Sequence, residues 1–427
     1  MNYLGETAAL DGSEKIDRVV VVNDSTVARG GASALAMLNA KLVRGRGIPV
    51  TYFAGDGGDI DGVLRADGID SFALGDTALM KNSRLSALTK GLFNLKAYRA
   101  MRDWIVKNDT PRTVYHLHGW QQILSPSIFT ALRPVSKRTL LHAHDYFLVC
   151  PNGGQMNYAT NLACSLRPMS SRCISTNCDK RNFGHKIWRV GRQGLRNLMN
   201  DLSGSDVRIA LIQHGMTEAF ARTGVPASNL LDIPNPCVPF SEQRVRAEDN
   251  REFQFVGRLV AEKGIEAFLS AARIANVSVR VLGDGPLREP LSAKYPEFIF
   301  EGWCSRERLS ELTQRARMLV MPSLYPEPFG LVIPEAVSSG IPVILSGSAL
   351  LAADVAEGGV GFSVDPGDPE AFSRLLRHCA SADLEIKAMS TRGHEEPNGM
   401  SMRPQQWVSE LLKTYGQLTG IAETSLS

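Results

Sequence analysis

Two patterns of apolar and polar positions alternate along this chain: short continuous apolar runs, and stretches whose apolar residues recur three and four positions apart. The first predicts strands buried on both faces, the second helices with one face on a core. RVVVVND (18–24) is a β-branched run, the loop STVARGGAS (25–33) follows with Gly30 and Gly31, and ALAMLNAKLV (34–43) places Leu35, Leu38 and Leu42 on one helical face. Further strands are read at 48–55, 113–119, 139–145, 207–212 and 230–235. A second series begins with FQFVGRLVAEKGIEAFL (253–269), a buried strand, a loop and a helix with Ile265, Phe268 and Leu269 on one face. It continues through VRVLGDGPL (279–287), MLVMP (318–322) and GVGFSVDPGDPEAFSRLLRHC (359–379). Alternation of this kind predicts an α/β fold with parallel sheets.

The two series are separated by NPCVPFSEQRVRAEDNRE (235–252), where turn formers run into charges, the composition of an interdomain junction. The pattern therefore divides the chain into a first domain over 1–238, a second over 239–404, and a C-terminal helix and tail over 405–427 with Trp407, Leu411, Leu412 and Tyr415 as its apolar stripe. Composition adds bounds: 427 residues, 44% apolar and 21% charged, suit an ordinary globular protein of two domains. The net charge of +3 makes no case for nucleic acid. The opening stretch MNYLGETAALDGSEKIDR lacks the apolar core of a signal peptide, and no stretch reaches the ~20 apolar residues that cross a bilayer. A cytoplasmic location is expected.

The candidate chemistry lies in the second series. In YPEPFGLVIPEAVSSGIPV, Glu327 follows a strand and Glu335 is read about two turns into a helix starting near Phe329, Gly330 and Leu331. Free backbone N–H groups at a helix start suit a diphosphate or a sugar hydroxyl. The two carboxylates can accept hydrogen bonds from a hexose on one side and a ribose on the other. Two glutamates at this spacing are common on solvated helix faces, so the weight comes from their context. Upstream, Gly257, Arg258, Lys263 and Gly264 occupy a strand-to-helix loop in which a forked guanidinium and a compact ammonium make a diphosphate clamp. Gly283, Asp284 and Gly285 end another strand and let backbone approach a ligand closely.

The order GRxxxxKG, GDGP and EPFGLVIPEA, each after a strand, resembles the retaining glycosyltransferases of family 4 over most of residues 250–380. The resemblance implies the GT-B architecture, two Rossmann-like parallel-sheet domains facing across a cleft. It implies transfer of a sugar from a nucleoside diphosphate sugar to an acceptor hydroxyl with retention, in cell-surface polysaccharide or glycolipid synthesis, with no cofactor required for catalysis. By position, it makes Arg258 and Lys263 ligands of the diphosphate, Glu327 of the donor sugar, and Glu335 of the ribose. Phe329, Gly330 and Leu331 would offer backbone amides, and Gly257, Gly283 and Gly31 would line the donor. No residue is an evident nucleophile, so the resemblance favours same-face attack with Glu327 orienting the sugar. A sugar-nucleotide epimerase of the same fold would consume donor without acceptor, and a non-catalytic nucleotide-sugar-binding protein would transfer nothing. A glycoside hydrolase using the glutamate pair leaves the Arg/Lys loop without purpose.

In the first domain, residues 18–43 look like the opening unit of a Rossmann-like domain, with Gly31 at the ligand end of the strand. His116 and His118, and His142 and His144, each share a face of a predicted strand. Hydrogen-bonded core imidazoles are the ordinary explanation; His142 and His144 with Asp145 also suit a metal. The resemblance places His118 at a strand end beside the reacting sugar, as a catalytic residue, with His144 and Asp145 on the acceptor side. An insert at about 150–200 carries Cys150, Cys164, Cys173 and Cys178 without a CxxC pair, and is read either as a structural zinc site or as buried free thiols. Stretches 81–107 and 179–200 hold seven Lys/Arg and, between 180 and 196, six. Both are read as amphipathic helices on an anionic membrane surface, at the inner face where a lipid-linked acceptor would lie, or as solvated basic faces.

Overall fold

The computed structural model describes residues 16–27, 30–204, 206–396 and 399–421. Most of the polar opening stretch, and two residues of the 25–33 loop, lie outside them. The chain divides into two compact units, the first comprising residues 1–154, 165–233 and 404–427, the second 155–164 and 234–403. The crossing between Ile233 and Pro234 falls just ahead of the segment read as the junction. Residues 155–164 group with the second unit, although the flanking parts of the cysteine-containing insert belong to the first.

The first unit is built on seven strands: β1 (Arg18–Asn23), β2 (Val50–Ala54), β3 (Asp70–Ala73), β4 (Thr113–Leu117), β5 (Thr139–Ala143), β6 (Arg208–Leu211) and β7 (Leu230–Asp232). They form a parallel sheet in the order β3-β2-β1-β4-β5-β6-β7. Strands β2, β4 and β5 are buried at every position, which is why they read as continuous apolar runs rather than alternating ones. β3 is the exposed edge, and its DSFA sequence carries no apolar run that would have announced it. The helix Gly31–Gly45 follows β1, and the C-terminal helix Pro404–Thr419 packs on it and on β4, burying Trp407, Leu411, Leu412 and Tyr415.

The second unit repeats the plan with β8 (Glu252–Val256), β9 (Ser278–Leu282), β10 (Ile299–Gly302), β11 (Ala316–Met321), β12 (Val343–Ser346) and β13 (Gly361–Val364). Their order is β10-β9-β8-β11-β12-β13, all parallel. Phe253, Phe255, Phe268, Leu269 and Phe372 fill one face of this sheet, and Leu319, Ile333, Val337 and Val343 the other. The direction of winding reverses between β8 and β11, and ligands in open parallel sheets bind at the carboxyl ends of the strands at such a point. The loops that leave those two ends are 257–264 and 322–331.

The helix after β11 runs from Val332 to Ser338, later than expected, because Gly330 adopts φ +65°, a left-handed backbone that a helical turn excludes. Glu335 consequently sits in the first turn of that helix and not two turns in. With seven residues, the helix also carries less dipole than the longer one expected.

Candidate active site

Contacts between strand-end loops build the site in the second unit. The Gly257 N–H donates to the Leu282 carbonyl (3.0 Å) and the Leu259 N–H to that of Asp284 (2.9 Å), which lays the Arg258 loop along the end of β9. Gly283 packs so tightly there that a Cβ would collide with the Gly257 carbonyl oxygen. Gly264, at φ +67°, is pressed against the Pro322 carbonyl in the same way. A bond from the Leu324 N–H to the Glu262 carbonyl (2.9 Å) closes the seam between the 257–264 and 322–327 loops.

This seam brings Lys263 onto Glu327. The ammonium pairs with the Glu327 carboxylate, donates to the Tyr325 hydroxyl at 3.2 Å, and lies 5.2 Å from the centre of the Tyr325 ring. The Ser323 hydroxyl donates to the same Glu327 oxygen at 3.2 Å. Burial and the Glu327 charge raise the Tyr325 phenol far above its ordinary value, so it stays a neutral hydrogen-bonding group. Arg258 is exposed, and its charge works against the rise at Tyr325. Arg258, Lys263 and Glu327 are thus gathered at the two central strand ends, with Gly257 and Gly283 beneath them. Phe329 is buried, and Gly330 and Leu331 precede the short helix.

Glu335 has a cation of its own. Arg306, at the start of the helix Arg306–Thr313, pairs with it at 2.8 Å. Burial nevertheless pushes the Glu335 carboxyl up to about 7, against the pull of Arg306. Sequence reading found neither Arg306 nor Tyr325, because neither belongs to a periodic pattern and their partners are set by tertiary contact.

In the first unit the four histidines form a buried ladder at the ends of β4 and β5. His116 Nε2 meets His142 Nδ1 at 3.1 Å, His118 Nδ1 meets His144 Nε2 at 2.9 Å, and the Asn39 amide reaches both His116 Nδ1 (2.8 Å) and His118 Nε2 (3.0 Å). The Tyr415 hydroxyl, from the C-terminal helix, closes the ladder on His116 Nδ1 at 2.7 Å. Burial lowers all four imidazoles, His144 to about 3, so they are neutral near pH 7. Burial raises the neighbouring Asp145 to about 6. His118, His144 and Asp145 therefore stand together at one strand end. Gly31 opens the helix behind β1. Asp24, at the end of β1, accepts the backbone N–H groups of Gln122, Ile123 and Leu124 and fixes the loop that follows β4.

The structure also sorts the insert. Cys150, Cys173 and Cys178 are buried in the first unit, whereas Cys164 is half-buried on the hairpin segment of the second. In the basic stretch, Lys186, Arg192 and Arg196 of the helix Phe183–Met199 are buried and face neither water nor lipid, whereas Lys180 and Arg181 ahead of the helix are exposed. Arg192 donates to the carbonyls of Gly91 (2.8 Å) and Gln121 (2.7 Å) and stacks over Trp120. These contacts join the loops of the first unit from within.

Comparison with known proteins distinguishes the two units. Residues 239–394 match the family of glycosyl transferases group 1. The matched residues lie within the second unit. The chain is also similar to the sulfoquinovosyl transferase of Arabidopsis thaliana, 32% identical over 153 residues, 34% of this chain and 30% of that protein. The D-inositol 3-phosphate glycosyltransferase of Streptomyces avermitilis is 44% identical over 75 residues, 18% of this chain and 16% of the relative. The chain thus spans a third or less of the length of these curated relatives. The whole fold is shared more widely. The sucrose-phosphate synthase of Thermosynechococcus elongatus superposes with a TM-score of 0.69 over 95% of this chain and 99% of its own, at 18% identity. HepE of Anabaena, in complex with UDP, does so at 0.63 over 93% and 99%, at 16% identity. The fold is α/β of the GT-B class.

Proposed function

We propose that this protein is a retaining glycosyltransferase that moves a sugar from a nucleoside diphosphate sugar to a hydroxyl of a glycan or lipid-linked acceptor, in cell-surface polysaccharide or glycolipid synthesis. The observation that carries the reading is the Lys263–Glu327 pair, set with exposed Arg258 at the two central strand ends of a group 1 domain. Without donor, the two charges satisfy each other. An arriving diphosphate offers Lys263 a stronger, doubly anionic partner, and the Glu327 carboxylate is released to accept hydrogen bonds from the sugar hydroxyls. Donor binding and sugar orientation are thereby one exchange. The bond from the anomeric carbon to the phosphate oxygen breaks while the acceptor oxygen bonds the same face of that carbon. The acceptor proton passes to the departing phosphate oxygen, and Arg258 and Lys263 stabilise the charge that develops there. Glu335 grips the ribose.

A second element of the proposal is contact with an anionic membrane surface. No described helix is long and apolar enough to cross a membrane. The helices Arg84–Leu92 and Phe183–Met199 pack on each other, and Met80, Leu85, Leu88, Phe183 and Ile187 are exposed on and beside them among exposed Lys81, Arg84, Lys180 and Arg181. The apolar tips supply insertion and the four cations the attraction.

The test is a panel of nucleotide sugars incubated with and without lipid-linked acceptors in anionic vesicles. The account predicts that one donor is consumed only with acceptor, that the product keeps the donor's anomeric configuration, and that Leu85→Glu combined with Ile187→Glu loses the advantage of vesicles. Donor turnover without acceptor, or an inverted product, refutes it.

A further inference from the structure

When Lys263 turns to a diphosphate, Glu327 is left short of a hydrogen bond, and the loop after β11 holds a group placed to supply it. Lys263 and Ser323 both donate to Glu327 Oε2, which leaves Oε1 for a ligand. Glu327 is 9% exposed. A carboxylate at that depth, once it loses a hydrogen-bonded cation, bears the cost of its own desolvation unless another N–H or O–H takes the vacated place.

Among the described residues, the Lys263 ammonium has one other hydrogen-bond partner, the hydroxyl of half-buried Tyr325 at 3.2 Å. The hydroxyl oxygen accepts from the ammonium, so its own proton is still available to donate. Burial and the Glu327 charge keep that proton on the phenol. The sequence prepares the meeting. Pro326 and Pro328 bracket Glu327, and a residue that precedes a proline is pushed out of the helical region toward extended backbone. Side chains two apart on an extended chain lie on one side, and Tyr325 and Glu327 do both reach Lys263. The bond from the Leu324 N–H to the Glu262 carbonyl ties this stretch to the loop that carries Lys263. The Tyr325 ring, its centre 5.2 Å from the ammonium, holds Lys263 independently of the hydroxyl.

We propose that Tyr325 is a positioning residue for Glu327: as Lys263 turns to the diphosphate, the Tyr325 hydroxyl donates to Glu327 in its place and, with Ser323, keeps the carboxylate aimed at the sugar. This role rests on the exchange between Lys263 and Glu327 proposed above, and supplies what that exchange lacks. Two hydrogen bonds then hold the carboxylate in either state, from Lys263 and Ser323 before the nucleotide arrives, and from Tyr325 and Ser323 afterwards. The Lys263 ammonium, with three N–H groups, can keep its bond to the Tyr325 oxygen throughout. Tyr325 therefore favours diphosphate binding without touching the diphosphate.

The test is calorimetric titration with UDP, GDP, ADP and TDP of wild type, Tyr325→Phe, Glu327→Ala and the double variant, each checked for folding by circular dichroism. Tyr325→Phe removes the hydroxyl and keeps the ring. It should weaken the nucleoside diphosphate that wild type binds by about tenfold, the value of one hydrogen bond to a charged group. In the Glu327→Ala background, where no carboxylate needs a replacement, the same substitution should change affinity by less than about twofold; Glu327→Leu serves if the alanine variant does not fold. A tyrosine that merely packs against Lys263 would cost the same in both backgrounds. Wild-type affinity in Tyr325→Phe, or an equal loss with and without Glu327, overturns the positioning role and leaves the transferase reading standing. Wild-type protein that binds none of the four nucleotides refutes that reading, and the role of Tyr325 with it.

Discussion

Glu327 and Glu335 lie eight residues apart, yet each is held by a different cation: Lys263 draws Glu327 toward the strand ends, and Arg306 holds Glu335. Their roles should separate in kinetics. Glu327→Gln keeps size and hydrogen bonding but removes the charge beside a centre that becomes positive in the transition state, so it should depress kcat far more than donor affinity. Glu335→Ala removes a grip that is equal in ground and transition states, so it should raise the donor KM with a smaller change in kcat. The pH profile adds a sign. Because burial holds the Glu335 carboxyl up at about 7, its charged form fills in only as pH rises through that value. The donor KM should therefore rise by up to ~tenfold per pH unit below 7, and this dependence should vanish in Glu335→Ala. A profile unchanged by the substitution removes Glu335 from the ribose site. That Arg258, Lys263 and Glu327 stand on loops at strand ends was legible in the sequence, because each follows an apolar run. Arg306, and the burial of Lys186, Arg192 and Arg196, were not, since a helical run of cations reads as solvated until the partners it folds against are known.

At the scale of elements, most buried strands were legible as mainly apolar runs, but β12, buried at every position, was not read. β3 escaped as an exposed edge, and the start of the Val332–Ser338 helix was misplaced because one left-handed glycine moved it. Glycines also join the loops of the site. Gly264 combines φ +67° with contact against the Pro322 carbonyl, so Gly264→Ala should destabilise the chain by more than about 1 kcal/mol. It should also raise the donor KM, since the shift needed to admit a Cβ separates Lys263 from Glu327. Urea unfolding and donor kinetics check both effects. A variant unchanged in both would show that the seam between the loops does not position the clamp.

At the scale of the molecule, two sheets share one winding plan, and the alternation of runs and amphipathic stretches announced both. The family match is confined to 239–394. The unit with Arg258 and Lys263 therefore carries the recognisable motifs, while the first unit, with its insert and histidine ladder, has to be read from its own contacts. The grouping of residues 155–164 with the second unit had no local signal, because the segment's own pairing is a two-residue hairpin that leaves no periodicity. The central claim is that the strand-end cations of the second unit hold a donor diphosphate. The most direct measurement is acceptor-dependent release of nucleoside diphosphate by wild type, Arg258→Ala and Lys263→Ala, with folding checked by circular dichroism. Each substitution removes a charge-assisted contact worth about 1.5–3 kcal/mol, so each should slow release at least roughly tenfold; wild-type rates in both folded variants would contradict the account.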